Sequence, residues 1–373
     1  TVALTLDIDL QAAAEESLER TITGMMATDS RQRGGAAVVM GVKSGEVLAL
    51  ATYPTYDPTT FNRDYESLST DDRLPLFNRA TDGVYAPGST FKLCTAVAAL
   101  ESGIITPTTT IRDQGVYTYY AYPQPKCWIY RQYGSTHGSI NVSQAITESC
   151  NYFFYETGRL TGIETIDNYA TQFGLGRSTG IETGDSKGAL ASPEYAKANE
   201  LEWTDGQTIT AAIGQSYNLF TPIQLANYVA TLVGDGEHYK AHLLKNVKSY
   251  DNSSMIYAYD EGPENTVSIS GSTLQAVKKG MYGVANSTLS SQFSRCIVTC
   301  GAKTGSAQVG TDIANGTFVC FAPYDDPQIA VAVVIEKGGS GAALAGVAVD
   351  IVNAYFSREE IGTAIIGENT LIS

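Results

Sequence analysis

Apolar positions alternate at the very start of the chain. Val2, Leu4, Leu6 and Ile8 fall on every second residue, the spacing of a strand with one face turned inward. From Leu10 the period becomes helical: in "LQAAAEESLERTI", Leu10, Ala14, Leu18 and Ile22 share one face. "AAVVMGV" and "VLALATYP" flank the turn "KSGE" and predict a hairpin. The middle of the chain is rich in helical patterns, clearest in "SINVSQAITESCNYFFYETGRL" and "TPIQLANYVATLV", with "FGLGRSTGIETGDSKG" as a Gly-rich loop between them. Strands return in "CIVTCGAKTGSAQ", "GTFVCFAPY" and "QIAVAVVIEK", where "PYDDP" turns between the last two, and "GAALAGVAVDIVNAYF" closes with a helix. This order predicts an α+β fold, an antiparallel sheet assembled from both ends of the sequence with a helical lobe inserted. No internal repeat and no Pro- or Ser-rich linker divides the chain.

Composition sharpens the picture only in part. With 373 residues, 43% of them apolar and 17% charged, the chain can bury a sizeable core and is not disordered. A formal net charge of −15 argues against a nucleic-acid surface, which needs a basic face. No window reaches the roughly 20 apolar residues that cross a bilayer; "IAVAVVI" has the length of a strand. The chain opens on Thr1 and is already strand-like, so it reads as a fragment whose upstream part has been removed, and the missing anchor is no sign of a cytoplasmic protein. The six cysteines read as small core residues and not as a disulfide framework.

One charged residue is out of place. In "YAPGSTFKLCTAVAALESG" the chain is broken by Pro87 and Gly88, a helix starts at Ser89, and Lys92 stands one turn inside a run that is otherwise apolar. Lys92 either snorkels to water from the first turn or is buried for a purpose. Ser89 and Lys92 are three apart and share a helix face. A serine hydroxyl needs a base to become a nucleophile, and a desolvated lysine can be neutral near pH 7 and act as one. Backbone N–H groups at the helix start, that of Ser89 included, can steady an oxyanion. The three histidines, His137, His238 and His242, lie in polar or Gly-bearing sequence and suggest no Ser-His-Asp arrangement.

Two further motifs follow. "TESCNYFF" sets Ser149 and Asn151 two residues apart where one helical run ends and another begins, a boundary where such residues are also ordinary caps. "CGAKTGSAQ" places Lys303, Thr304, Gly305 and Ser306 on a strand, either as a plain polar strand end or as an edge that receives a peptide by β-augmentation, with Lys303 and the hydroxyls holding a carboxylate. Each motif alone is weak. S-x-x-K, S-x-N and K-T-G in this order are the signature set of the serine penicillin-binding proteins and β-lactamases.

The chain resembles the transpeptidase domain of a class B penicillin-binding protein along nearly all its length. "LTLDIDLQ", "GEVLALATYPTYDPTTFN" and "NRATDGVYAPGSTFK" carry the likeness at the start. "CWIYRQYGSTHGSINVSQAITESCN" and "AAIGQSYNLFTPIQLANYVATLV" resemble the elongation-type members. The resemblance implies a five-stranded antiparallel sheet flanked by helices, with an inserted all-helical lobe. The transpeptidase domain would span residues 1–357, with a C-terminal tail at 358–373. Ser89 would attack the penultimate D-Ala of a peptidoglycan stem peptide, with Lys92 as its base, Ser149 as proton relay and Asn151 holding Lys92 and the substrate amide. Lys303, Thr304 and Ser306, with Gly305 between them, would bind the terminal carboxylate. The N–H groups of Ser89 and Ser306 would form the oxyanion hole. β-Lactams would acylate Ser89, and no metal or organic cofactor is needed. The implied partners are stem peptides, β-lactam antibiotics, a polymerising glycosyltransferase and cell-wall elongation proteins. The implied place is the outer face of the cell membrane, through an anchor missing from this chain.

Two departures stand out. Ser306 sits where family members more often have threonine. Cys296 and Cys300 precede the strand motif, while Cys127 and His137 lie ahead of Ser149; these four could assemble a structural zinc site, or Cys296 and Cys300 could share a strand face and simply pack. Rivals within the fold are a β-lactamase, which needs a water-activating carboxylate such as that of an E-x-x-L-N loop not found here, a D,D-carboxypeptidase, and a β-lactam sensor domain.

Overall fold

The computed structural model describes residues 1–307 and 313–362. Along the chain, β1 (Val2–Leu4) leads into α1 (Ile8–Asp29), and β2 (Gly35–Gly41) and β3 (Val47–Tyr53) form the first hairpin. A helical stretch follows: α2 (Lys92–Glu101), α3 (Trp128–Tyr133), α4 (Val142–Thr147), α5 (Asn151–Thr161), α6 (Ile163–Gln172) and α7 (Pro222–Val233). Then come β4 (Leu244–Lys248), β5 (Met255–Ala258), α8 (Gly271–Gly283) and α9 (Ser290–Phe293). β6 (Gly301–Ala307), β7 (Asn315–Ala322), β8 (Ile329–Ile335) and α10 (Ala345–Gly362) close the order. The last helix continues past residue 357, into the stretch expected as a tail from 358, and residues 363–373 lie outside those described.

β6, β7, β8, β2 and β3 pair in that spatial order into one antiparallel sheet, so the C-terminal strands and the N-terminal hairpin meet at β8–β2. Every residue of β2 and β8 is buried. Alternate residues enter two different cores: Val38, Val319, Ala332 and Val334 point to the helical lobe, while Val39, Phe318, Val331 and Val333 point to α1 and α10. A sheet covered on both faces explains why "AAVVMGV" and "IAVAVVI" are continuous apolar runs and not alternating ones. α1 places Leu10, Ala14, Leu18 and Ile22 in the second core, and Asp7 caps its start by accepting from the N–H groups of Asp9 and Leu10. The inserted region is mainly helical; among the described residues it also holds two short strand pairs and the pair β4–β5, to which β1 from the N-terminus adds a third strand. The sheet was expected to take in Cys296 and Cys300; it begins only at Gly301, and bends occupy the residues before it.

α7 shows how the lobe is held to the sheet. All twelve of its residues are buried, Pro222 opens it, and Thr221 with Gln224 forms a reciprocal cap. α6 carries an oddity at Asp167, whose Oδ1 is buried with no hydrogen-bond partner among the described residues. Burial, reinforced by Glu194, pushes this carboxyl up to about 8. Because the folded value lies above the unfolded one, this group's contribution is most favourable below pH 4 and declines as pH rises toward 8. Asp167→Asn should therefore gain stability over the wild type by about 1–3 kcal/mol as the pH is raised across that window. Thermal melts of both proteins at a series of pH values check this; parallel curves would refute it.

Candidate active site

The run toward Ser89 is fastened before it arrives. The Arg79 guanidinium donates to Glu336 at 2.9 Å and to the carbonyls of Leu74 and Arg73, and the Tyr85 hydroxyl donates to the same Glu336 oxygen at 2.8 Å. Backbone bonds from Tyr85 to Phe220 and from Gly88 to Gly214 fix the last residues. Ser89 then sits in a tight 3-10 turn, Gly88–Phe91, and Lys92 is the first residue of α2, so the lysine opens the α-helix and does not lie a turn inside it. Gly88 has φ +53°, and a Cβ there would meet the Ser306 carbonyl at 2.9 Å. The turn thus lies directly against β6. Gly305 has the matching role: a Cβ on it would meet the Pro87 carbonyl at 2.5 Å, so this glycine makes room for the turn.

Lys92 does not snorkel. It is 0% exposed, and its Nζ donates to Asn151 Oδ1 at 2.6 Å and to the Ser149 carbonyl at 2.8 Å, with Ser149 Oγ at 3.4 Å. The Phe154 ring lies 5.6 Å from the ammonium. Lys303 is equally buried and donates to Ser149 Oγ at 2.9 Å and to its neighbour's carbonyl on Thr304. Burial lowers Lys92 to about 8, against the opposing pull of the Cys150 and Cys127 thiols. Burial, then repulsion from Lys92, lowers Lys303 well below the ordinary lysine range. Two cations on one serine are strongly unfavourable in a dry site, so the pair sheds protons that either lysine alone in water would keep.

Ser149 is the hinge of this network. It stands between α4 and α5 at φ +52°, a left-handed conformation that costs an ordinary residue roughly 1–2 kcal/mol. That twist turns its carbonyl to Lys92 and its hydroxyl to Lys303. The serines meet water where the lysines do not. Ser89, Ser149, Asn151, Thr304, Gly305 and Ser306 line a cavity of about 440 Å³, while Lys92 and Lys303 lie behind its wall. Among the described residues the Ser89 hydroxyl has no hydrogen-bond partner, which leaves it free toward the cavity. β6 is an edge of its sheet, and Ser306 on it is exposed, its Oγ accepting from the Gly341 N–H. A hollow of about 490 Å³ beside His242 is slightly larger, but neither Ser89 nor either buried lysine lines it. Histidine has no part in the cleft. His238 is buried and pushed down to about 4, chiefly by burial.

The expected zinc set is regrouped. Cys127 and His137 do come together, but with Asp113 and Cys150; Cys296 and Cys300 lie apart, against the other core. His137 Nδ1 is 2.8 Å from Asp113 Oδ2 and 3.6 Å from Cys127 Sγ, and the two sulfurs are 3.8 Å apart. All four donor atoms fall within 4.8 Å of one another. One carboxylate, one imidazole and two thiols at such spacing suit a tetrahedral zinc ion. Its chemistry there would be structural: Cys150 lies between Ser149 and Asn151, so a bound ion would brace the strained turn. Asp113 carried no signal in the sequence, whereas Cys150 lay inside the quoted motif.

The sequence pattern of the penicillin binding protein transpeptidase domain family matches residues 35–356. The peptidoglycan D,D-transpeptidase MrdA of Escherichia coli K12 is 34% identical over 370 residues, covering 92% of this chain and 56% of that protein. This chain thus spans little more than half of that relative. Pseudomonas aeruginosa PBP2, solved in complex with WCK 5153, superposes with a TM-score of 0.83 at 30% identity, covering 95% of this chain and 75% of the other. Helicobacter pylori PBP2, solved in complex with MreC, gives 0.80 at 27% identity, covering 97% and 64%.

Metal analysis of the purified protein should find about one zinc per chain. Stripping it with a chelator, or replacing His137 with alanine, should lower the melting temperature. A chain that is metal-free as isolated and indifferent to added zinc would rule this out.

Proposed function

Since the chain belongs to the penicillin-binding protein transpeptidase family, we propose that it carries out D,D-transpeptidation of peptidoglycan stem peptides through a Ser89 acyl-enzyme, in cell-wall elongation. The observation that carries this reading is the dry Lys92, joined to Ser149 and Asn151 one turn from a free serine hydroxyl.

In this reading neutral Lys92 takes the Ser89 proton as Oγ attacks the penultimate D-Ala carbonyl. The N–H groups of Ser89 and Ser306 receive the oxyanion. Their placement side by side is supported by the contact of Gly88 with Ser306. Ser149, bonded to both lysines, passes a proton to the departing D-Ala amine, and Asn151 holds Lys92. Thr304 and Ser306 on the free edge of β6 bind the terminal carboxylate, with Lys303 supplying charge from behind Ser149. An amine from a neighbouring strand then takes the acyl group. β-Lactams enter the same path as D-Ala-D-Ala mimics. The complex of a relative with MreC supports elongation proteins as partners. A polymerising glycosyltransferase and attachment to the outer face of the cell membrane, through a segment outside this chain, belong to the same proposal. A transpeptidase domain over 1–357 with a tail beyond it completes it.

The β-lactamase reading needs a carboxylate that activates water at Ser89. Among the described residues Glu148 is the one carboxylate on the cavity lining. It is exposed, and among the described residues its carboxylate bonds neither Ser89 nor the lysines. Slow deacylation is the consequence.

Incubation with a penicillin should give a lasting mass increase equal to the drug, absent in Ser89→Ala. Drug consumption without an adduct would favour the β-lactamase, and an adduct without cross-linking of stem peptides would favour the sensor. Because Lys92 must be neutral, the acylation rate should rise with pH through about 8. A flat profile across that value would remove Lys92 from the role of base. Lys92→Ala should slow acylation by about 10²–10⁴-fold.

A further inference from the structure

The cysteines fall into distinct groups. Cys127 and Cys150 belong to the Asp113 cluster, and Cys94 and Cys320 are fully buried in the cores. Cys296 and Cys300 form a separate pair in the turn between α9 and β6, ending three residues before Lys303. Among the described residues no third His, Cys, Asp or Glu completes a metal-binding group with them. Packing alone explains Cys300, which is 1% exposed, but not Cys296, which is partly open to solvent.

The turn that carries them is pinned from three sides. The Asn353 side chain accepts from the Ile297 N–H at 3.0 Å and donates to the Arg295 carbonyl at 2.9 Å. Asn286 donates to the Cys300 carbonyl at 3.2 Å, and the Tyr324 N–H donates to the Thr299 carbonyl at 2.7 Å. Bends at residues 297 and 298 turn the chain between the two cysteines. Both cysteines pack against the same core, and the Cys300 thiol donates to the carbonyl of Val298, between them in the chain, at 3.4 Å. Cys300 favours the thiolate at Cys296 against opposing burial, with help from Arg295, while Cys300 is pushed up by Cys296 and by burial. An accessible thiol with thiolate character beside a buried second thiol is the division of labour of an attacking and a resolving cysteine.

From this arrangement we infer that Cys296 and Cys300 form a thiol–disulfide exchange site, with Cys296 attacking and Cys300 resolving, and with an accessible disulfide as the co-substrate. The Cys296 thiolate attacks one sulfur of the incoming disulfide, whose S–S bond breaks, and half of that molecule leaves as a thiolate. Cys300 then loses its proton and attacks Cys296 Sγ, expelling the second half as a thiolate. The two cysteines are oxidised to one disulfide, the co-substrate is reduced to two thiols, and the protons of Cys296 and Cys300 end on them. Closure ties off the turn immediately ahead of the strand that carries Lys303.

The sequence provides a clean readout, because Arg295 and Lys303 bracket both cysteines within one tryptic peptide, Cys296–Lys303. The intact protein would be exposed to glutathione disulfide, alkylated after denaturation and digested. The expected peptide lacks the mass of two hydrogens, resists alkylation, and returns to two free thiols with dithiothreitol. Cys300→Ser should hold one glutathione on Cys296. Cys296→Ser, at a position open enough to keep the fold, should block both products. A wild-type peptide that keeps two free thiols, that holds glutathione without closing, or that links to Cys320 instead would overturn the assignment.

Discussion

Two lysines held out of water on either side of Ser149 are the constraint around which the rest of the cleft is arranged. Removing an ammonium ion from water costs several kcal/mol even after the surroundings relax. Here the surroundings answer with fixed oxygens, the Asn151 amide and the Ser149 carbonyl for Lys92, the Ser149 hydroxyl and Thr304 carbonyl for Lys303. The helix that opens on Lys92 is buried at every position but Glu101, and each of its larger apolar side chains, such as Leu93 and Val97, contributes about 1.5–3 kcal/mol. Ordinary packing therefore stabilises a helix whose first residue works against stability.

The two lysines come from opposite sides of a seam. Lys303 rides on the edge strand of the main sheet; Lys92, Ser149 and Asn151 belong to the inserted lobe. The seam is closed by backbone, with Gly88 and Gly305 letting the turn that carries Ser89 lie against β6 at a distance no Cβ would allow. Ser149 meets both lysines only because it is left-handed, and the cluster of Asp113, Cys127, His137 and Cys150 lies right beneath that twist. A strained residue persists where its neighbours over-determine it, and here they do so from both flanks.

This geometry separates wet from dry in a way that suits acyl transfer. The hydroxyls that would touch substrate line the cavity, while the bases that would drive them sit behind it, where their charge is suppressed. Among the described residues no comparable arrangement serves water. Glu148, the carboxylate that lines the cavity among the described residues, is exposed and bonds neither Ser89 nor the lysines, unlike a buried general base held over the acyl-enzyme.

The sequence by itself determined the elements and the cast. The hairpin, the paired C-terminal strands and α1 were legible because each writes its burial as a period, and S-x-x-K, S-x-N and K-T-G were legible because their order is distinctive. It could also raise the question of Lys92, since a lysine at the head of an apolar helix is anomalous on pattern alone. What it could not decide was anything fixed by contacts between distant segments. Cys127 and His137 were visible as soft ligands, yet their partners proved to be Asp113 and Cys150 instead of Cys296 and Cys300, because metal-like geometry depends on which loops pack together and not on which residue types stand near a motif. Likewise, nothing in the sequence told that the Pro87 carbonyl approaches Gly305 too closely for a Cβ. Periodicity records how each segment faces a core; only the tertiary structure settles which segments share one, and so which charges must be buried together.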